Sequence, residues 1–135
     1  MKKTLILVVE DYPDTQDLLR LLLERVGYEV IAAADGLEGL EKARQQRPDL
    51  ILLDLAMPEL DGWATARRLK ADPQTAAIPL VAVTAFTLPG DKREALAAGC
   101  DGYIGKPFRA AEFAAEVAAF LAPGKIAGGA GEAAG

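Results

Sequence analysis

Four short apolar runs in this chain each end in a polar residue, and the segments between them repeat with helical periodicity. Leu5-Ile6-Leu7-Val8-Val9 is closed by Glu10-Asp11, and Leu50-Ile51-Leu52-Leu53 by Asp54. Leu80-Val81-Ala82-Val83 is closed by Thr84, and Gly102-Tyr103-Ile104-Gly105 by Lys106-Pro107. Unbroken apolar runs this short suit strands buried on both faces, the pattern of a parallel sheet. The carboxyl ends of parallel strands share one rim, where open α/β folds bind ligands. Three carboxylates, a hydroxyl and an ammonium then meet in one crevice.

Strand-like and helix-like patterns alternate five times. The strands are expected at Leu5–Val9, Tyr28–Ala34, Leu50–Asp54, Pro79–Val83 and Gly102–Gly105. The helices are expected at Pro13–Val26, Leu37–Gln46, Trp63–Ala71, Pro89–Ala98 and Arg109–Leu121. Leu18, Leu19, Leu22 and Val26 read as the inner face of the first helix, and Leu37, Leu40 and Ala43 as that of the second. Ala110, Phe113, Ala114, Val117, Phe120 and Leu121 form the stripe of the last. Gly27 and Gly99 are natural helix stops, and Pro48 ends the second helix. Such alternation implies an α/β fold: a (βα)5 doubly wound parallel five-stranded sheet with right-handed crossovers. Residues 1–122 form this domain. Residues 123–135 are rich in Gly and Ala, have little to bury, and read as a disordered tail or linker.

At 135 residues the chain suits one domain with one core. Its longest apolar stretches fall far short of a membrane span, and the run after Met1-Lys2-Lys3-Thr4 is too short for a secretory signal, so a cytoplasmic location is expected. The formal net charge is −5, with scattered Arg and Lys, which argues against direct nucleic-acid binding. There is no histidine and a single cysteine, Cys100. That excludes His-based acid–base chemistry and an internal disulfide, and makes a zinc site a poor fit.

Glu10, Asp11 and Asp54 repel one another. Two carboxylates about 4 Å apart cost roughly 1 to 4 kcal/mol. A divalent cation removes that cost, and a few carboxylates without His or Cys favour Mg²⁺, with Mn²⁺ as a substitute, over a dedicated Ca²⁺ cage. A carboxylate beside such an ion, with Lys and Thr near, is equipped to attack a phosphoryl group and give an acyl phosphate.

The order and placement of these residues resemble the response-regulator receiver domain, the CheY-like phosphoacceptor domain of two-component signalling. The resemblance covers about residues 4–121. It rests on Glu10-Asp11, Asp54, Met57-Pro58, Asp61-Gly62, Thr84-Ala85, Tyr103 and Lys106-Pro107 together. It implies a flavodoxin-like sheet of order 2-1-3-4-5, an order for which a member of this family is a standard example. It also implies that Asp54 is the phosphoacceptor, taking its phosphoryl group from a histidine kinase or histidine phosphotransfer protein. Asp11, Asp54 and the backbone carbonyl of Ala56 would bind Mg²⁺ directly, and Glu10 largely through water. Thr84 and Lys106 would hold the phosphoryl group, with a cis peptide before Pro107. Tyr103 would be the switch aromatic that follows Thr84 and alters the face of helix 4, strand 5 and helix 5 for a downstream protein target. Ala56 and Phe86 would border the path of the hydrolytic water and tune the lifetime. Such a chain is a signalling switch that catalyses its own phosphorylation and slow dephosphorylation, and otherwise no enzyme.

Other readings stand beside these. Tyr103 can instead cover the sheet edge, and Phe86 can either shield the site or point outward. Asp61-Gly62 reads as a helix-entry turn, Trp63 and Phe113 as core or near-core, and Cys100 as an inert, partly buried thiol. The mostly alanine outer side of the last helix predicts a monomer or weak dimer. The chain is either a single-domain regulator or a receiver fragment of a hybrid kinase or multidomain regulator. A haloacid-dehalogenase-like phosphatase also uses an Asp nucleophile, but in a D-x-D motif after its first strand, which this chain lacks. A flavodoxin needs a hydroxyl- and glycine-rich loop where Tyr12-Pro13-Asp14-Thr15-Gln16 stands.

Overall fold

A computed structural model describes residues 3–55, 62–84, 89–106 and 109–121, with the backbone alone for Thr84, Pro89 and Lys92. The elements follow in strict alternation: β1 (Leu5–Val9), α1 (Pro13–Arg25), β2 (Glu29–Ala33), α2 (Gly36–Gln46), β3 (Leu50–Leu53), α3 (Gly62–Ala71), β4 (Leu80–Thr84), α4 (Pro89–Ala97), β5 (Gly102–Gly105) and α5 (Ala110–Leu121). The strands form one five-stranded sheet in the order β2-β1-β3-β4-β5. Every neighbouring pair is parallel. The expected fold class and strand order are both present.

The apolar runs are continuous because both faces are covered. Leu7, Val9, Ile51, Leu53, Leu80 and Ala82 point to one side, where Leu40 and Ala43 of α2, Ala66 and Leu69 of α3 and Ala95 of α4 meet them. Ile6, Val8, Leu50, Leu52, Val81 and Val83 point to the other, against Leu19 and Leu23 of α1 and Phe113 and Val117 of α5. Successive strand residues thus serve opposite layers, as the two-residue period of a strand requires. Phe113 is fully buried, and Trp63 is half-buried against the α2–α4 layer.

Boundaries shift by a residue or two. β3 ends at Leu53, so Asp54 lies just beyond the strand. β4 runs to Thr84 and starts after Pro79, whose carbonyl still accepts from Ile51 N at 2.9 Å. Gly27 and Gly99 adopt positive φ, 100° and 106°, as helix stops do. Arg47 does the same at φ 47° and caps α2 just ahead of Pro48.

Three expected faces need correction. In α1 the buried positions are Leu19 and Leu23, with Leu22 half-buried, whereas Leu18 and Val26 are 46% and 53% exposed. Leucines at 18, 19, 21, 22 and 23 make an apolar arc wider than the face one sheet can cover, so periodicity could not choose the centre. Val26 is the C-cap, outside the helix. In α2, Leu37 is 62% exposed. The inner face is instead Gly36, Gly39, Leu40 and Ala43. A Cβ at Gly39 would lie 2.9 Å from Val9 Cγ2, so α2 approaches β1 through glycine and turns Leu37 outward. In α5, Ala110 is exposed and Ala114, Phe120 and Leu121 are only half-buried. Cys100 is more enclosed than expected, at 5% exposure, and burial pushes its thiol up to about 12. That keeps it protonated and inert.

These faces predict different mutational costs. Leu19→Ala removes a buried side chain and should cost about 2–5 kcal/mol in urea melts. Leu18→Ala, one residue away, should stay within about 0.5 kcal/mol. Equal losses at both positions would contradict the placement of α1.

Candidate functional site

The rim of the sheet is set by backbone hydrogen bonds that carry β1 past its last ladder pair. Glu10 N donates to Ala33 O at 3.0 Å, and Asp54 N donates to Val9 O at 3.0 Å. β1 is therefore gripped from both sides where its carboxylates begin. Glu10 and Asp54 are buried, at 2% and 8% exposure, while Asp11 is exposed. One carboxylate oxygen from each of the three lies within 4.8 Å of the others.

Lys106 follows β5 and reaches back across the rim. Its Nζ lies 3.2 Å from Glu10 Oε1 and 3.9 Å from Asp54 Oδ2. The nearer contact is a hydrogen bond as well as an ion pair. Thr84 pairs with Gly105 in the β4–β5 register, which puts it at the same rim immediately beside the residue before Lys106. Tyr12 N donates to Glu10 Oε2 at 3.1 Å, and Gln16 Nε2 donates to Glu10 O at 3.0 Å. Glu10 thus has both carboxylate oxygens and its carbonyl engaged.

Burial holds the Glu10 carboxyl above its ordinary value; the Tyr12 amide opposes this, the Asp54 charge adds to the rise, and Lys106 lowers it again. Lys106 sets one ammonium against the three carboxylates, so these four described side chains together are negative. An octahedral Mg²⁺ site with bonds of about 2.1 Å needs ligand oxygens about 3 to 4 Å apart. The observed spacing is near that, the donors are all oxygen, and the excess charge is of the sign a cation neutralises. The residues fit a hard divalent ion.

Tyr103 lies in β5 opposite Ala82 and is half-buried against the α2–α4 layer. Its hydroxyl is shielded and has no hydrogen-bond partner among the described residues. Burial raises its phenol above the ordinary value, and Asp91 of α4 adds to this.

Of the residues singled out from sequence, Glu10, Asp11, Asp54 and Lys106 come together, and Thr84 is adjacent by backbone register. Ala56, Met57-Pro58, Asp61, Ala85, Phe86, Pro107 and the 123–135 tail lie outside the described residues. Sequence reasoning missed the Lys106–Glu10 bond and the hydrogen bonds of Gln16 to the rim carbonyls. The family resemblance assigns Lys106 to the phosphoryl group and says nothing of a bond to Glu10. Gln16 carried one faint signal, a polar side chain close to the inner face of an otherwise leucine-rich helix.

Comparisons with known proteins agree with this geometry. The family profile of the response regulator receiver domain matches residues 6–118. The polar-differentiation response regulator DivK of Brucella anthropi is 40% identical over 116 residues, covering 86% of this chain and 94% of that protein. DivK of Brucella ovis matches to the same extent. Among solved structures, a putative response regulator from Chloroflexus aurantiacus superposes with a TM-score of 0.84 at 32% identity, covering 89% of this chain and 98% of its own. The receiver domain of a sensor histidine kinase from Pseudomonas aeruginosa, solved with a magnesium ion coordinated in its active-site cleft, gives a TM-score of 0.82 at 36% identity, with 89% and 98% covered. A sheet of order β2-β1-β3-β4-β5, an acidic cluster at its carboxyl rim and a lysine after β5 place this chain in the family of response regulator receiver domains.

Proposed function

We propose that this receiver domain accepts a phosphoryl group on Asp54 from a phosphohistidine of a kinase or phosphotransfer protein. The observation that carries the reading is the meeting of Glu10, Asp11 and Asp54 with Lys106 at one rim. An Asp54 carboxylate oxygen attacks phosphorus, a P–O bond forms, and the P–N bond to the donor imidazole breaks with the electron pair leaving on nitrogen. Bound Mg²⁺ would supply charge neutralisation for the phosphoryl oxygens. Asp11 and Asp54 would hold it, with the Ala56 carbonyl, and Glu10 would act largely through water. Lys106 lies within reach of the phosphoryl group once Asp54 carries it, and Thr84 at the neighbouring rim position offers a hydroxyl.

The Tyr103 hydroxyl, shielded and without a hydrogen-bond partner among the described residues, supports a switch role. A shielded hydroxyl without a partner costs about 1–3 kcal/mol relative to a paired one, so a second ring position is within thermal reach. Drawing Thr84 toward the phosphoryl group would open that position and change the surface of α4, β5 and α5 offered to a protein target. Among the described residues no helix is long and apolar enough to cross a membrane. The alanine-rich α5 exposes Glu112 and Glu116, whose like charges do not favour self-pairing, so we take the domain as a monomer or weak dimer.

With Mg²⁺ and acetyl phosphate, wild type should take up one phosphoryl group by intact-mass analysis, and Asp54→Asn none. Asp11→Asn should bind Mg²⁺ more weakly. Normal labelling of Asp54→Asn at Asp54's position would sink the acceptor assignment. Steady turnover of p-nitrophenyl phosphate would favour a phosphatase instead.

Beryllofluoride should move the NMR signals of Tyr103 and its neighbours in β5 and α4. Identical spectra with and without it would remove the switch.

Ala56 and Phe86 carry no side-chain donor or acceptor to orient water, so we infer slow self-dephosphorylation. Phosphoryl loss should accelerate in Phe86→Glu and Ala56→Asn. A wild type that already decays as fast as these variants would show that the two positions do not set the lifetime.

A further inference from the structure

Gln16 sits in the first turn of α1, half-buried, and takes no part in the chemistry set out above. Its side-chain Nε2 donates to Glu10 O at 3.0 Å and to Ala33 O at 3.3 Å. Both acceptors are main-chain carbonyls at the rim. Glu10 is the first residue past β1, and Ala33 is the last of β2. The Ala33 carbonyl also receives Glu10 N–H at 3.0 Å, so one amide group closes the gap between two strand ends and a helix.

The same short loop is tied from its other end. Tyr12 is the N-cap of α1 but makes no side-chain cap bond. Its carbonyl accepts from Gln16 N at 2.9 Å, and its own N–H holds Glu10 Oε2. Gln16 therefore grips the Glu10-Asp11-Tyr12 segment twice, through its main chain at Tyr12 and its side chain at Glu10. The two carboxylates of this segment hang from a backbone with little freedom to rotate.

We propose that Gln16 is a positioning residue that fixes the Glu10-Asp11 backbone and so presets their carboxylates for a divalent cation. The inference rests on the metal-binding reading above. The chemistry of the site selects an amide. Both acceptors are carbonyl oxygens, so the side chain must offer two N–H bonds. A carboxylate of the same size would face both carbonyls with like charge, and a thioether of similar length would leave them without this donor. Outer groups that orient metal ligands commonly alter affinity by ten- to a hundredfold when removed.

The test is an Mg²⁺ titration of the full chain, followed by the NMR signals of the Glu10 and Asp11 amides. Wild type, Gln16→Met and, as a ligand control, Asp11→Asn are compared, with urea melts alongside. Gln16→Met should raise the Mg²⁺ Kd roughly tenfold while the protein remains folded. A purely structural residue would lower the urea midpoint and leave the Kd of the folded protein at its wild-type value, which would overturn the proposal. Wild type supplies a second measurement, independent of how any variant folds. The Gln16 side-chain N–H signals should shift along the same saturation curve as Glu10 and Asp11, and signals that stay fixed through saturation would equally overturn it. A wild type with no saturable Mg²⁺ response would remove the metal reading and this inference together. A response lost in Asp11→Asn but kept in Gln16→Met would remove this inference alone.

Discussion

The hydrogen bonds that extend β1 beyond Val9 govern the rest of the site. A central parallel strand is held on both edges, and here the grip continues one residue past the ladder on each side, through Glu10 N to Ala33 O and Asp54 N to Val9 O. Because parallel strands share a direction, fixing these ends fixes which side chains share the rim. Glu10 and Asp54 are consequently close although they lie 44 positions apart in sequence. Burial follows from the same arrangement, since both residues begin while the strands are still covered by helices on both faces. The carboxylates are thus concentrated and partly dehydrated by the fold itself, before any ligand enters.

That concentration is costly, and the structure offsets it only in part. Lys106 lies nearer to Glu10 than to Asp54. Glu10 is the most buried of the three acids, so its charge gains most from a paired ammonium. The Tyr12 amide gives the other Glu10 oxygen a donor. Asp11, exposed to water, needs less help. A phosphoryl group on Asp54 would alter this balance by bringing new negative oxygens within reach of Lys106, which must then divide its attention between Glu10 and the modified Asp54. Covalent chemistry at Asp54 would in this way be coupled to the electrostatics of β1 and β5 at once. Full reversal of a 99:1 population would need about 5.5 kcal/mol of differential stabilisation. The proposed switch, built on one lysine, one hydroxyl and a tyrosine with no hydrogen-bond partner among the described residues, would be better suited to tilting an equilibrium that is already mixed.

The sequence carried the topology because strand burial on both faces leaves an unbroken apolar run, and the helices between such runs can only cross over. It carried Glu10, Asp54, Thr84 and Lys106 because each directly follows or closes a run. It did not carry helix rotation. Leu18 and Leu19 are chemically identical neighbours, and only the packing of Leu19 into the core layer that also holds Ile6, Val8 and Val30 distinguishes them. Leu37 misled for a different reason: the residues that pack α2 on β1 are glycines, which no hydrophobicity pattern counts. Gln16 was barely legible because its partners are backbone carbonyls, and any residue supplies those. The Lys106–Glu10 bond depends on which of several acids is driest, a property of packing rather than of composition.

Glycine also explains how the layer of α2, α3 and α4 meets the rim so closely. At Gly62, the first residue of α3, a Cβ would fall 2.1 Å from Leu55 Cα and 2.5 Å from Asp54 O. α3 therefore begins directly against the backbone that carries the Asp54 carboxylate. Gly39 does the same for α2 against Val9, the residue before Glu10. Two missing side chains thus let two helices press on the ends of β1 and β3, one on each acidic strand. The contacts are with main chain or with a stiff β-branched side chain, neither of which yields easily. The backbone beside Glu10 and at Asp54 is packed closely from the α2–α3 face, and Glu10 also accepts a hydrogen bond from the Gln16 amide on the α1 face. The acidic rim is accordingly held by van der Waals contact on one side of the sheet and by hydrogen bonding on the other, and the carboxylates stay together although their charges drive them apart.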